Sequence, residues 1–593
     1  MQVANDPKKI KEIGKPDFIL VRGSIPMAYV ETKDLIKSLD SKDDKEQFDR
    51  YIKGLPNLII TNYREFRWYV AGEHRQTVII GTVKGDKVIL RPQEYPAFTQ
   101  LLQGYLSQAY PHVTNDRDLA IQLARKTKLI AALVQASLAD DSDETNPLVQ
   151  QRKIFQESLL PDLSNADFAD FYAQTLTYGL FVARVNHDTG VHGRFQRRGV
   201  AEDIPRTNPF LRKMFEIVLP EISSRLGWVI DDLVALLAHA EMDALLRDFG
   251  KQTRTTDPVL HFYETFLQAY NPKLRETRGV YYTPEPVVHA IVRLVDDLLM
   301  TTFQRAEGLN DKHTFILDPA TGTGTFLYRI IQHIRQTNGY DAGQKGQWPR
   351  HVQENLLPRL FGFELLVAPY TVAHTKIGVL LKETGYTFPT DQRLNIYLTN
   401  TLENHPTKSD PMPFAENIRR ESTSAARVKN EEPIEIIIGN PPYSGHSANK
   451  GQWINGLIDD YFQVDGERIR EQNSKWIRND YVKFLRFGQW RIEKTGSGIM
   501  AYITDNGYLD NVTFRGVRQQ LLNAFSEIYI INLHGNSKKK ETTPDGGKDE
   551  NVFDIQQGVA IGIFIKRAGA RGPAIVKSVD LWGGRKDKYA ALN

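Results

Sequence analysis

The run Ile434-Glu435-Ile436-Ile437-Ile438, followed at once by Asn440-Pro441-Pro442-Tyr443, constrains this 593-residue chain more than any other stretch. Four β-branched residues in five positions read as a buried central strand. Two consecutive prolines cannot extend a ladder, so the strand ends abruptly and the chain leaves the sheet stiffly. An amide and an aromatic ring are thereby displayed at the strand's carboxyl end, where open α/β sheets bind ligands. The Asn440 side chain and the Pro441 carbonyl offer two oxygen acceptors beside a stacking face. That combination suits a planar amino group such as the exocyclic amine of adenine. A plain strand-ending turn would use the same residues.

Upstream, Thr314-Phe315-Ile316-Leu317 predicts a strand and Asp318-Pro319-Ala320-Thr321-Gly322-Thr323-Gly324 a glycine loop. An amphipathic helix follows from about Phe326, with Leu327, Ile330, Ile331 and Ile334 on one stripe. Strand, glycine loop and helix let a backbone approach a nucleotide-like ligand closely. The loop lacks the lysine of a phosphate-binding loop, which argues against a triphosphate. Leu360-Phe361-Gly362-Phe363-Glu364 reads as the next strand, ending in a carboxylate. Before these, Thr283-Pro284 precedes a helix from about Pro286, and a helix N-cap at Thr283 accounts for that pattern by itself.

Together these segments resemble the gamma class of amino-directed DNA methyltransferases, in which the cofactor motifs precede the catalytic one. Asn440-Pro441-Pro442-Tyr443 is similar to their catalytic quartet, and Asp318 to Phe326 to their DPAxGxGxF loop. The resemblance implies S-adenosylmethionine as cofactor, bound through Thr283, Asp318, Ala320, Gly322, Gly324 and Glu364. In that family the acid at Glu364 holds the ribose hydroxyls, and Thr283 belongs to the pocket for the methionine end. Asn400, in Leu398-Thr399-Asn400-Thr401-Leu402, falls where the family often has Asp near the boundary between cofactor and base; a strand-end turn explains it equally well. Asn440, Pro441, Pro442 and Tyr443 are the implied catalytic residues.

Composition sets limits on chemistry. The chain is 41% hydrophobic and 25% charged with a formal net charge of +3, which fits about three globular domains and neither requires nor excludes nucleic acid. It contains no cysteine. Disulfides, thiolate zinc sites and cysteine nucleophiles are excluded, and with them methylation at cytosine carbon 5. The methyl acceptor is therefore expected to be an exocyclic nitrogen. No Walker loop and no H-E-x-x-H motif occur, and no apolar stretch reaches membrane-spanning length.

The amino-terminal region reads as α/β, with strands at 18–21, 27–30, 58–61, 66–70, 77–83 and 87–90. A Gly23-Ser24 turn joins the first two, placing Asp17 beside Glu31 and Lys33, which share a strand face. Two carboxylates can hold a hard divalent cation, and a lysine can orient or deprotonate the attacking water. Gln47 and Tyr51, one helical turn apart, can face the same place. This resembles the PD-(D/E)xK nucleases and their Q-x-x-x-Y pair, which implies Mg2+ held by Asp17 and Glu31 with Lys33 catalytic.

Residues 117–138, 166–185, 211–219 and 228–249 carry helical periodicity, broken by an acidic stretch at 140–144 and a turn-prone stretch at 186–198. Phe168, Phe171, Tyr172 and Phe181 are expected core. The Ser/Arg-rich segment 407–430 reads as a mobile surface loop, and Lys538-Lys539-Lys540 as a loop tip that is solvated or touches phosphate.

The expected fold is α/β and multidomain. It comprises a PD-(D/E)xK-like α/β domain over 1–100, an all-helical spacer over 101–270 and a Rossmann-like methyltransferase domain over 271–593. That order resembles fused restriction–modification enzymes of type IIG/IIL, or type ISP without its motor. The resemblance implies a prokaryotic cytoplasmic enzyme that methylates adenine N6 in double-stranded DNA, with no membrane association. Relative to that family, the nuclease-like part is expected to lack its usual first helix, and the target-recognition domain is expected to be missing after 566. The expectations are weak or absent cleavage, and specificity supplied by a missing domain or a separate subunit. Three alternatives use much of the same sequence. They are a protein glutamine methyltransferase, a nuclease-free phage-defence DNA methyltransferase, and an inactive DNA-binding remnant. The rival product is N4-methylcytosine.

Overall fold

The computed structural model describes residues 2–5, 15–22, 25–85, 87–108, 113, 115–139, 145–222, 224–242, 258–271, 283–341, 343–389, 392–404, 413–443, 447, 449–469 and 474–593. The Gly23-Ser24 turn, the acidic stretch 140–144, residues 243–249 of the expected helix 228–249, and residues 277–282 lie outside them. The chain forms two compact units. One contains residues 1–152, 164–205 and 211–270, the other 153–163, 206–210 and 271–593.

The first unit is built on a six-stranded sheet of β1 (Gln2–Asn5), β2 (Phe18–Arg22), β3 (Ile25–Thr32), β4 (Asn57–Thr61), β5 (Glu65–Val70) and β6 (Glu73–Ile79), paired in that order. β3 and β4 are parallel, because the helix Lys42–Gly54 carries the chain back across the sheet; the other neighbours are antiparallel. The expected strand 77–83 divides at Ile80, and β7 (Gly81–Lys84) pairs with β8 (Lys87–Leu90) as a separate hairpin.

The helix Tyr95–Ser107 covers one face of the sheet. It buries Leu101 and Tyr105 against Leu20, Met27, Ala28 and Ile59, and the Tyr105 hydroxyl donates to the Tyr29 carbonyl at 2.8 Å. The helices Asp116–Ser137, Asn165–Asn186, Ser224–His239 and Pro258–Tyr270 pack on one another in the same unit. Asn115 and Ser164 cap the first two by accepting from the amides of Asp118 and Asp167. Phe168, Phe171, Tyr172 and Phe181 are all buried, as their spacing requires.

In the second unit eight strands form one sheet: β9 (Phe315–Asp318), β10 (Leu360–Glu364), β11 (Ile396–Leu398), β12 (Ile434–Gly439), β15 (Gly498–Asp505), β16 (Glu527–His534), β17 (Val559–Lys566) and β18 (Ile575–Asp580). A short ribbon, β13 (Gln463–Val464) with β14 (Glu467–Arg468), lies outside it. The spatial order is β11-β10-β9-β12-β15-β17-β16-β18. β11 through β15 are parallel, and β17 enters antiparallel between β15 and β16. The chain winds outward from β9 to β11, then crosses back to lay β12 on the other side of β9. The crevice at such a reversal lies between the carboxyl ends of β9 and β12. Ile434, Ile436, Ile437 and Ile438 are fully buried, so β12 is apolar on both faces because the sheet is covered on both. Glu435 sits where the β12–β9 register shifts, and its carboxylate pairs with Arg305 at 2.6 Å.

One expectation is corrected. Of the segment 407–430, residues 413–430 form the helix Pro413–Asn430 instead of a mobile loop, and 407–412 lie outside the described residues. Its Ser/Arg composition conceals a buried stripe of Phe414, Ile418, Ala425 and Val428 at helical spacing. Glu421 on the same stripe pairs with Arg393 at 2.6 Å and accepts the Leu398 amide of β11.

Candidate active site

Asp318 ends β9 and is fully buried. Its Oδ1 accepts the Ala320 amide at 3.2 Å, while Oδ2 has no hydrogen-bond partner. Burial pushes this carboxyl up to about 8; the Ala320 amide lowers it and nearby Glu364 raises it further. The loop then turns through Gly322 (φ +54°) and Gly324 (φ +79°), both in the left-handed region that favours glycine. The two glycines differ in surroundings. A Cβ on Gly322 would meet nothing within 4 Å, whereas one on Gly324 would lie 3.0 Å from the Ala373 Cβ. Gly322 therefore opens on a space and Gly324 is set by helix packing.

Glu364, at the end of the neighbouring β10, closes the loop's other side. Its Oε2 accepts the Gly322 amide at 2.8 Å, and Oε1 accepts the amides of Leu365 and Leu366 at 2.9 and 2.8 Å. Burial raises this carboxyl, and the three amides counter the rise. Two acids and an open glycine backbone thus gather at the ends of two adjacent strands.

Across the crevice, Asn440 follows β12. Its Nδ2 donates to Thr283 Oγ1 at 3.0 Å, and its Oδ1 accepts the Tyr443 hydroxyl at 2.6 Å. The Tyr443 hydroxyl also faces the Ile503 carbonyl of β15 at 3.2 Å. Thr283 thereby fixes which way the amide points, and one lone pair of Oδ1 stays available. Tyr443 packs edge-on to Phe553, ring centroids 6.4 Å apart, and burial holds its hydroxyl well above the usual phenol range. Pro441 is buried and Pro442 half-buried. The β12 end and the glycine loop approach closely, since a Cβ on Gly439 would stand 2.7 Å from Asp318 Oδ1.

Asn400 is also buried, but its amide is engaged. Nδ2 donates to the Leu159 carbonyl at 3.2 Å and to Asn449 Oδ1 at 3.0 Å, and Oδ1 accepts the Leu402 amide at 3.0 Å. The structure places it as a turn brace linked through Asn449 to Asp480. Asp505 was not singled out in the sequence. It ends β15 beside Tyr443, where burial raises its carboxyl and the Gly507 amide, Lys539 and Lys538 lower it. Lys538 and Lys539 are exposed on their loop, within electrostatic range of this edge. Nothing local in the sequence pointed to Asp505 or to the Thr283–Asn440 bond, which spans 157 residues.

In the first unit, Glu31 and Lys33 share a face of β3 and an ion pair at 2.8 Å. Gln47 joins them from the helix Lys42–Gly54, donating to Glu31 Oε1 and accepting from Lys33, both at 3.0 Å, and it approaches the Tyr51 hydroxyl at 3.4 Å. Glu31 Oε2 is buried without a hydrogen-bond partner, and burial lifts the carboxyl to about 7 against the pull of Lys33. The Asp17 carboxylate is close enough to raise it slightly, yet Asp17 Oδ2 is turned to the amide and hydroxyl of Thr32, each at 2.7 Å. Glu31, Lys33, Gln47 and Tyr51 are thus one cluster, with Asp17 at its edge.

Residues 254–526 match the family model for N-6 DNA methylases. The chain superposes on the solved DrdV–DNA complex with a TM-score of 0.60 at 22% identity, over 97% of this chain and 52% of that one. It superposes on the ATP-dependent Type ISP restriction-modification enzyme LlaBIII bound to DNA with a TM-score of 0.62 at 20% identity, over 84% and 32% of the two chains. For a nuclease-deletion mutant of the Type ISP enzyme LlaGI, in complex with a DNA substrate mimic, the values are 0.58, 20%, 84% and 38%. At these identities the likeness establishes a shared fold, and the chain spans about half the length of the first of these structures and less of the other two. No curated protein is significantly similar in sequence. Among the described residues no helix is long and apolar enough to cross a membrane. Over residues 254–526, somewhat less than half of its length, the chain is similar to the N-6 DNA methylase family.

Proposed function

We propose that this chain methylates the N6 amino group of adenine in double-stranded DNA, using S-adenosylmethionine. One observation carries the reading. The Asn440 carboxamide, braced by Thr283 and Tyr443, stands across a strand-order reversal from a glycine loop flanked by the buried Asp318 and the half-buried Glu364. The residues fit the cofactor: Asp318 Oδ2 has no hydrogen-bond partner, and open space lies above Gly322. Asp318, Ala320, Gly322, Gly324 and Glu364 would hold it, with Thr283 at the boundary to the base. When bound, the cofactor supplies an electrophilic methyl group on a sulfonium.

Everything else falls to the protein. The target base must leave the duplex, at a cost of a few kcal/mol. Tyr443, its hydroxyl tethered to Asn440 and to the Ile503 carbonyl, offers a ring held in place for stacking. The free lone pair of Asn440 Oδ1 and the Pro441 carbonyl accept the two amino hydrogens. Those bonds favour a tetrahedral nitrogen and direct its lone pair at the methyl group. Positioning supplies most of the acceleration, and the methylated nitrogen, acidic once it carries the added methyl and both hydrogens, releases one proton past the Asn440 and Pro441 oxygens to solvent, so no strong general base is needed. Lys538 and Lys539, exposed on their loop, would be available to a DNA phosphate near the extruded base. Transfer of a labelled methyl group from the cofactor to mixed-sequence genomic DNA tests the reading. No incorporation by the intact chain contradicts it.

A second reading concerns the first unit, and the partnerless Glu31 Oε2 beside Lys33 favours it. Here the proposal is a PD-(D/E)xK-like centre in which Asp17 and Glu31 hold Mg2+, while Lys33 and Gln47 orient water. A bound Mg2+ would polarise a phosphodiester oxygen. Because Thr32 engages Asp17, cleavage is expected to be slow. Nicking of supercoiled plasmid in Mg2+ that Glu31→Gln abolishes supports the centre; intact plasmid in both Mg2+ and Mn2+ contradicts it.

A further inference from the structure

The first unit holds another side-chain cluster that neither reading uses. His187 ends the helix Asn165–Asn186, His192 ends the short helix Thr189–His192, and Asp203 ends Val200–Asp203. His187 Nδ1 lies 2.8 Å from Asp203 Oδ2, and His192 Nδ1 lies 2.6 Å from Asp203 Oδ1. Candidate ligand atoms of all three residues fall within 4.8 Å of one another. The side chains of His187 and Asp203 are 2% and 4% exposed, and that of His192 is 37% exposed.

The far nitrogen of His187 decides what the cluster can do. His187 Nε2 lies 2.9 Å from the Gly193 carbonyl, which can only accept, so Nε2 carries the hydrogen. In a neutral ring this leaves a lone pair on Nδ1, and that lone pair points at a carboxylate oxygen. Lone pair facing lone pair is repulsive without a proton or a cation between them. The second imidazole presents the same Nδ1 to the other oxygen of the same carboxylate. Two neutral nitrogens and one carboxylate form a donor set for a divalent transition ion. A ligating histidine held through its other N–H by a backbone carbonyl is the usual supporting arrangement.

We propose that His187 Nδ1, His192 Nδ1 and Asp203 bind one divalent transition ion of the zinc class. The ion would clip the 187–203 connection to the end of the helix Asn165–Asn186. Bonds of about 2.0–2.2 Å imply donor atoms about 3.3 Å apart, so each imidazole must draw back from the Asp203 carboxylate by roughly half an ångström. The exposed His192 ring can supply that movement. Phe195, buried and edge-on to His187 at 5.2 Å, walls one side with carbon. Among the described residues no fourth protein ligand joins the three, and the exposed side at His192 admits water. The site needs no thiolate, consistent with a chain that has no cysteine.

The test uses the full chain, stripped by a chelator, loaded with Zn2+ and desalted before elemental analysis. The wild type should retain about one equivalent, and competition with a chromophoric chelator should show binding weakened at least about tenfold in His192→Ala. His187→Gln should lose it as well, and Co2+ loading should give tetrahedral visible bands in the wild type alone. If His187→Gln misfolds, His192→Ala decides, because that ring is exposed and circular dichroism can confirm its fold. Zn2+ retention by the wild type no greater than by His192→Ala overturns the proposal.

Discussion

Gly322 and Gly324 stand two residues apart in the same loop with the same backbone handedness, yet substitutions at them should fail differently. At Gly322 (φ +54°) a Cβ meets nothing, so alanine costs only the left-handed backbone, roughly 1 kcal/mol. At Gly324 (φ +79°) the same backbone cost applies, and the Cβ also presses on the Ala373 Cβ at 3.0 Å and Cα at 3.3 Å. Overpacking of that kind adds about 1–3 kcal/mol. Cofactor binding should respond to chemistry instead. Gly322→Asp puts a carboxylate into the open space and beside Glu364, whose Oε2 already accepts the residue 322 amide. S-adenosylmethionine affinity should drop at least about a hundredfold, or roughly 2.7 kcal/mol. Denaturant unfolding and titration calorimetry on Gly322→Ala, Gly322→Asp and Gly324→Ala separate the two effects. Unchanged cofactor affinity in Gly322→Asp would refute the cofactor assignment. Equal destabilisation by the two alanines would refute the packing argument.

Three further outcomes follow from the same geometry. Folded Asp318 keeps its proton up to about pH 8, whereas an unfolded aspartate releases it near 4. The stability it contributes is therefore full below about pH 4 and declines through pH 8, by about 1.4 kcal/mol per pH unit. Asp318→Asn should remove that slope and, without ligand, be the more stable form at pH 8; parallel unfolding curves at pH 5 and 8 would contradict this. Glu364→Gln leaves one of three backbone amides without its acceptor, and should cost about 1–3 kcal/mol of stability together with cofactor affinity. Thr283→Val frees the Asn440 amide to rotate, so turnover should fall more than cofactor affinity, in a calorimetry-against-rate comparison.

What the sequence made legible were features carried by adjacent residues. The isoleucine run is apolar on both faces because β12 is central, and its prolines do end the strand. The loop from Asp318 to Gly324 lies between β9 and the helix Thr325–Thr337, as the spacing predicts. What escaped depends on partners far along the chain. The stripe of Pro413–Asn430 is interrupted by the buried polar residues Asn417 and Glu421, so its polarity read as a loop until Arg393 and the Leu398 amide supplied partners. Asp505 is one aspartate among many until β15 sets it beside Tyr443. The engagement of Asn400 by Leu159 and Asn449, and of Asp17 by Thr32, has no signature in spacing. His187, His192 and Asp203 lie in or beside a stretch that reads only as turn-prone, and the ends of one long and two short helices bring them together.

In the proposed reaction the braced Asn440 amide directs a methyl group to adenine N6. Mass spectrometry of nucleosides from DNA treated with the chain and S-adenosylmethionine tests it directly, with Asn440→Ala run beside the wild type. N6-methyladenine is expected from the wild type and none from Asn440→Ala, which should still bind the cofactor because its loop is untouched. Methylcytosine as the sole product, or undiminished N6-methyladenine from Asn440→Ala, would contradict it.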